Sequence, residues 1–403
     1  MDDPLSLPLE GIRIIDMTTT LAGPYASQIL GDFGADIIKI EAPGGDAIRD
    51  AGPQRHKGMS STFMGCNRNK RSVVLDLKSE FGRQALWRLV DGAHVFLHAI
   101  RPQKMMALGF NADAVMARKP EIVYVALHGY HDHGPYGGRP AYDDVIQGEA
   151  GVTGTFVARD GHPAMIPSSF VDKNTGLITA NGVLAAIIQN LRTKEGVYIE
   201  VGMFEGIVAY NLVEHLYGRM FVPAQGEAGY ARVVSPHRSP HATGDGFICM
   251  LPYTDAQWRK FWQIAGCVEL ADDRRFSTMR ARSQNIDALY STAASYLKSR
   301  NSDEWLKLLA EAEIPAGPAN TLDDLFEDKH LKAIDFFRKY KHPSEGTLIA
   351  PDTPYRINKQ SLPIRQPAPR MGEHTREVLI EIGYSDDHID KMTKRATENF
   401  GDP

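Results

Sequence analysis

The chain has 403 residues, of which 43% are hydrophobic and 24% charged, and its formal net charge is −5. That length exceeds one ordinary compact core, so two domains are expected, and the composition is that of a globular protein. The negative balance supplies no electrostatic case for nucleic acid or an anionic membrane as a partner, although a local basic pocket could still hold an anionic ligand.

Cys66, Cys249 and Cys267 are widely spaced and form no CxxC pair, which argues against a disulfide framework or structural zinc and fits a reducing compartment. The start, MDDPLSLP, has neither the basic flank nor the apolar core of a signal peptide. No stretch approaches the roughly 18 consecutive apolar residues of a membrane span. A cytoplasmic location is the expectation.

From the N-terminus the pattern alternates. GIRIID (11–16) reads as a short buried strand, and 22–35 as a helix entered through Gly23 and Pro24 and closed near Gly34. Then follow a strand over 36–41, a strand over 72–77, a helix over 79–90, a strand over 93–97, a helix over 111–118 and a strand over 121–127. Strands that are apolar on both faces and alternate with helices imply a parallel sheet covered by helices, a doubly wound α/β domain. Ligands of such sheets lie beyond the carboxyl ends of the strands. The candidate loops are TTTLAGP, APGGDAIRD and HAIRPQ.

The run VDKNTGLITANGVLAAIIQNLR (171–192) is the clearest helix. Leu177, Ala180, Leu184, Ile187 and Leu191 recur at spacings of three and four, which predicts one buried face. Asn174 and Thr175 are natural caps, so the helix is expected to begin there with its free N–H groups pointing back towards Asp172. Such a position would keep the Asp172 carboxylate ionised. A strand over 197–203 and a helix over 204–220 come next.

The residues of 222–242 turn to Pro, Gly, His and Arg and read as a linker. Beyond it, 244–334 carries a short strand, GFICML, a helix around Trp258 and Trp262, and helices over 287–299 and 303–313, enough for a small α/β domain. The tail is a Pro-rich extended run with a helix over 373–382, an arm that must dock on the first domain or on a second subunit. The expected division is a large domain over 1–222, a linker over 223–243, a small domain over 244–334 and an arm over 335–403 that completes the large domain.

Two motifs carry less than they suggest. The glycines of APGGD and GPYGG do not reproduce GxGxxG between strand and helix, which disfavours a dinucleotide-dependent dehydrogenase. His128, His131 and His133 fall in a Gly- and Pro-rich loop without helical spacing, which favours a solvated or substrate-facing loop over a metal site.

Five blocks in order, GIRIIDMTTTLAGPYASQILGDFGADIIKIEAPGGDAIR, NRNKRSVVLDLKSEFGR, IRPQKMMALGF, GPYGGRPAYDDVIQGEAG and VDKNTGLITANGVLAAI, resemble the family III CoA-transferases, the CaiB/BaiF family. The resemblance runs from Gly11 to about Phe204, with weaker similarity in SPHRSPHATGDGF and in the arm. It implies an acyl-CoA:carboxylate CoA-transferase of formyl-CoA transferase type whose catalytic aspartate is Asp172, with CoA and acyl-CoA as substrates and no tightly bound cofactor. By the same resemblance CoA contacts fall at Leu21, Ala22, Leu75, Lys78, Ala99, Ile100, Arg101 and the Arg139 to Tyr142 segment, with Arg71 and Lys104 as nearby cations. It also implies a Rossmann-like large domain completed by the arm, in an interlocked homodimer. Two departures bear on the nucleotide: the usual ENFRPG is HAIRPQ, and Ala42 stands after KIE where the family often has a basic residue or proline.

Arg232, His237, Arg238 and His241 could meet the far carboxylate of a dicarboxylate, since guanidinium and imidazolium are its natural donors, or could be surface or dimer contacts. His237 and Arg238 are the candidate substrate-binding pair, with succinyl-CoA as the type of donor. An acyl-CoA racemase of the same superfamily is the alternative and would need an acid/base pair flanking the α-carbon, with His128 or His133 as the available partner. A silent acyl-CoA-binding scaffold is the third reading.

Overall fold

A computed structural model of the chain describes residues 6–390. Six strands, β1 (Arg13–Met17), β2 (Asp36–Glu41), β3 (Lys70–Val74), β4 (Val95–His98), β5 (Val123–His128) and β6 (Val197–Gly202), form one sheet in the order β3-β2-β1-β4-β5-β6. Every pairing is parallel. The inner strands β1, β2, β4 and β5 were legible as apolar runs because both their faces are covered. Ile14 and Ile15, adjacent in sequence, point to opposite sides and enter different cores.

On one side lie α1 (Ala22–Asp32) and the long helix that carries Asp172; on the other lie α2 (Glu80–Asp91) and α3 (Ala112–Arg118). The strand order reverses between β1 and β4, so a crevice opens beyond their carboxyl ends. β3 starts two residues earlier than expected and stops at Val74, which releases Leu75 to Lys78 into a turn instead of a strand.

The short helix α4 (Asp143–Glu149) precedes α5 (Phe170–Thr193), and α5 corrects the sequence reading in two ways. It begins four residues before Asn174, with Ser169 as N-cap, so Asp172 lies inside its first turn rather than ahead of it. Asn174 is no cap: its side-chain amide donates back to the Phe170 carbonyl at 2.8 Å. The buried face is also rotated from the expected one. Thr175, Gly176, Thr179, Ala180, Val183 and Ile187 are inside, whereas Leu177 and Leu191 are exposed. The reason is the closeness of α1: a Cβ on Gly176 would stand 2.9 Å from the Ala22 carbonyl oxygen and from Tyr25 Cδ1. Small residues face α1 because nothing larger fits there.

The chain divides into two compact units, Met1–Ala150 with Ile166–Ala209 and Phe336–Pro403, and Gly151–Met165 with Tyr210–Asp335. The boundaries expected from composition shift accordingly. Residues 151–165 and 210–222 join the second unit, starting at Gly151 in a left-handed conformation (φ 79°). The 223–243 stretch is not a bare linker. Ser235 donates to Asp287, Arg232 to the Tyr290 hydroxyl, and His241–Ala242 pairs with Phe247–Met250, which pairs in turn with Ala316–Pro318. The core of this unit surrounds Trp258, Phe261, Trp262 and Trp305.

From Phe336 the described chain belongs to the first unit. It forms an antiparallel hairpin of Phe337–His342 with Gly346–Pro351, then an extended run, then α6 (Thr375–Glu381) beside β3. Arg71 of β3 holds α6 through Glu377 (3.0 Å) and Glu381 (2.5 Å) while also pairing with Asp36 (2.7 Å). Val378 and Leu379 fill the sheet core beneath it.

Candidate active site

The loops at the carboxyl ends of β1 to β4 are fixed by buried charge. Asp16, fully buried, accepts from the Thr18 amide (2.9 Å) and from the Ser27 hydroxyl (2.5 Å). Burial alone would raise its pKa, but Lys70, Lys39 and these hydrogen bonds together hold it below the ordinary carboxylate value. Lys39 reaches the Thr18 carbonyl (2.8 Å) and Asp46 (2.9 Å), and Asp46 in turn accepts from the Thr20 amide (3.0 Å) and caps the 3-10 turn Ala47–Asp50. One lysine thus ties the loop after β1 to the loop after β2. That tie sustains Thr20 at φ 64°, a conformation unfavourable for a β-branched residue. Arg49 adds a bidentate pair with Glu41 at 2.6 and 2.7 Å.

Between these loops is a cavity of about 460 Å³, lined among others by Met17, Ile40, Leu75, Leu77, Ile100 and Leu108. Four residues that the resemblance pointed to, Leu75, Lys78, Ala99 and Ile100, meet on its wall. The Ile100 amide is oriented by the buried His98, whose Nδ1 accepts from it at 3.1 Å. Burial first, and the neighbouring His128, push the His98 pKa down to about 3, so this imidazole is neutral and an acceptor.

The other expected contacts have different surroundings. Leu21 packs beside Ile48, Phe63 and Ala368, and Ala22 is buried where α1 meets α5. Arg101 is exposed at the start of the Pro102–Leu108 helix, with Lys104 exposed within it. Arg139 is committed to Glu149 (3.0 Å) and lies over the Tyr136 ring, while Tyr142 is exposed at the N-cap of α4. Arg71 is not a free cation, because its three carboxylate partners consume its donors.

Asp172 is partly buried at the third position of α5, and its environment reverses the expectation of a stabilised anion. Burial, followed by the charges of Asp143 and Asp144, raises its pKa to about 6. A helix N-terminus favours an anion by only about 0.3–1 kcal/mol at ordinary exposure, which desolvation and two like charges outweigh. The geometry is fixed by main chain: the Asp172 amide donates to Asp143 Oδ1 at 2.9 Å. Gln147 holds the other Asp143 oxygen at 2.7 Å and takes the Ile166 amide at 2.9 Å. The sequence offered AYDDV as adjacent carboxylates, yet nothing local signals that they face a residue 29 positions on.

In the second unit, His237, Arg238, His241, Cys249, Met250 and Tyr290 are among the residues around a separate cavity of about 460 Å³. His237 and Arg238 are exposed; His241 is buried, and burial lowers its pKa. Arg232 is engaged with Tyr290 at 3.0 Å. The histidine loop does not converge: His131 and His133 stack at 5.7 Å, while His128 is buried against His98 at 5.7 Å with neither ring nitrogen hydrogen-bonded. Among the described residues no helix is long and apolar enough to cross a membrane.

A doubly wound parallel sheet with an apolar cavity at its topological switch, and a carboxylate at a helix start, define a ligand-binding protein of the α/β class. Comparison narrows the class: the chain belongs to CoA-transferase family III, whose profile matches residues 9–375. It is 32% identical over 381 residues to the probable fatty acyl-CoA transferase Rv3272 of Mycobacterium tuberculosis, covering 91% of this chain and 96% of that protein. It is 30% identical over 390 residues to the succinyl-CoA:glutarate CoA-transferase of Mus musculus, covering 96% and 89%. The crystal structure of a CaiB/BaiF family protein from Brucella suis superposes with a TM-score of 0.78 at 30% identity, covering 94% of this chain and 100% of that one. The chain is accordingly a CoA-transferase.

Proposed function

We propose that the chain moves CoA from a short dicarboxylyl-CoA, of which succinyl-CoA is the type, to a free carboxylic acid, with Asp172 as the covalent carrier. The observation that carries this reading is the carboxylate at the start of α5, whose pKa is pushed up to about 6 by burial and by Asp143 and Asp144. At pH 7 such a group is roughly nine-tenths ionised and more basic than an ordinary aspartate, the combination a carboxylate nucleophile needs.

The steps conserve charge. An Asp172 oxygen attacks the thioester carbonyl, a C–O bond forms, the C–S bond breaks, and CoA leaves as the thiolate with an acyl-aspartyl anhydride behind it. The thiolate attacks the aspartyl carbonyl, forms the enzyme thioester and releases the donor acid as its carboxylate. The acceptor carboxylate then reverses both steps.

In this reading Leu75, Lys78, Ala99 and Ile100 hold CoA in the strand-end cavity, with Leu21, Ala22, Arg101, Arg139 and Tyr142 on further loops. His237 and Arg238 receive the distal carboxylate. No tightly bound cofactor is required. The interlocked homodimer and the cytoplasmic location stay part of the proposal. Relatives named for succinyl-CoA:glutarate and succinyl-CoA:L-malate transfer support a dicarboxylyl donor. The racemase alternative gains no support, since His128 is buried and His133 exposed.

The test is incubation with succinyl-CoA alone followed by peptide mass spectrometry. A CoA adduct on the Asp172 peptide and ping-pong kinetics with an added acid are expected; strictly sequential kinetics with no adduct would sink the covalent route.

A further inference from the structure

We infer that the strand-end cavity grips the adenosine of its thioester through the base and not through the 3′-phosphate, so that acyl-3′-dephospho-CoA serves nearly as well as acyl-CoA. This rests on the CoA-transferase reading of the same cavity and extends it to nucleotide selectivity.

The walls supply an apolar slot for a planar ring. Met17, Ile40, Leu75, Leu77 and Ile100 come from four different strand ends, and Leu108 from the end of the Pro102–Leu108 helix, to converge on it. The cavity volume, about 460 Å³, suits a nucleoside better than a whole CoA. Its charges cancel: the lining holds one cation, Lys78, and one anion, Asp76. Asp76 turns one oxygen to the Lys78 amide at 2.9 Å, which keeps a carboxylate fixed beside the lysine. A phosphate monoester carries nearly two negative charges at neutral pH and is held well only by several charge-assisted donors. A single exposed lysine beside a carboxylate is a weak substitute.

Three of the neighbouring cations are spent elsewhere. Lys39 is buried on Asp46 and the Thr18 carbonyl, Arg49 is bidentate on Glu41, and Arg71 pairs with Asp36, Glu377 and Glu381. The segment after β2, where a basic side chain would face the slot, is Ala42-Pro43-Gly44, exposed and uncharged. Arg101 and Lys104 belong to the next helix and are not in the lining.

The experiment compares CoA with 3′-dephospho-CoA on the full chain, by titration calorimetry for binding and with the succinyl thioester of each for exchange. The expected result is Kd and kcat/KM within about tenfold between the two, and Lys78→Ala closing what difference remains. Ala42→Arg is expected to install a preference for CoA by tightening CoA alone. A preference for CoA above tenfold in the unaltered chain, or failure to bind either nucleotide, overturns the inference. Binding of both within tenfold without turnover of either thioester would leave it standing and remove the covalent transferase reading instead.

Discussion

The main-chain amide of Asp172 donates to a side-chain oxygen of Asp143 at 2.9 Å, so the start of α5 is pinned by the same carboxylate whose charge disfavours ionisation of Asp172. One residue, from a helix that ends 21 positions before α5 begins, therefore fixes the position of Asp172 and adds to the effect of burial on its basicity.

Asp143→Asn keeps an oxygen that can accept the amide but removes the charge. The Asp172 pKa should then fall from about 6 towards the ordinary aspartate range, because burial and Asp144 alone remain to raise it. In the unaltered chain the exchange rate should drop as pH falls through about 6; in the variant that acid limb moves lower, while the plateau rate decreases by about tenfold as the nucleophile loses basicity. A pH–rate profile between pH 4 and 8 reads both; an unmoved limb would deny Asp143 this role.

Asp172→Asn should abolish exchange, by at least about a thousandfold, and yet stabilise the fold. The folded pKa, about 6, lies above the unfolded value of 3.8, so the carboxylate destabilises the native state once it ionises. That penalty is absent below the unfolded value, grows as pH rises between the two, and is complete above about 6. The variant is thus expected to gain up to about 2–3 kcal/mol at pH 8 and almost nothing near pH 4. Denaturant unfolding at the two pH values measures it.

Lys39 and Asp46, both fully buried in their side chains and 2.9 Å apart, join the first two loops of the cavity. Lys39→Met alone leaves a buried unpaired carboxylate and should cost about 3–5 kcal/mol, with weakened CoA binding. Lys39→Met with Asp46→Leu should recover most of the stability but not the binding, since Thr20 then loses its acceptor. Chemical unfolding and CoA titration on the three variants separate the two effects.

Arg238→Ala should lower kcat/KM for succinyl-CoA by about ten- to a hundredfold and leave a monocarboxylyl-CoA of similar length unchanged, because only the former offers a second carboxylate to the guanidinium. Equal loss on both donors, or on neither, would remove Arg238 from substrate recognition.

Sequence alone determined the central architecture and the candidate nucleophile. The strands of a parallel sheet are apolar on both faces and announce themselves as short continuous runs, and DIIKIE occupies the very residues of β2. Asp172, Leu75, Lys78, Ala99 and Ile100 were named through the resemblance of contiguous sequence blocks to the family, and folding gathers the last four on one cavity wall. Tertiary structure alone decided what those groups experience. Whether Arg71 meets a phosphate or three carboxylates depends on α6, some 300 residues away, and whether Leu177 or Gly176 faces inward depends on how closely α1 approaches. The basicity of Asp172 likewise follows from desolvation and from two carboxylates brought beside it by folding. Charge and burial act through space, and a linear pattern records only neighbours along the chain.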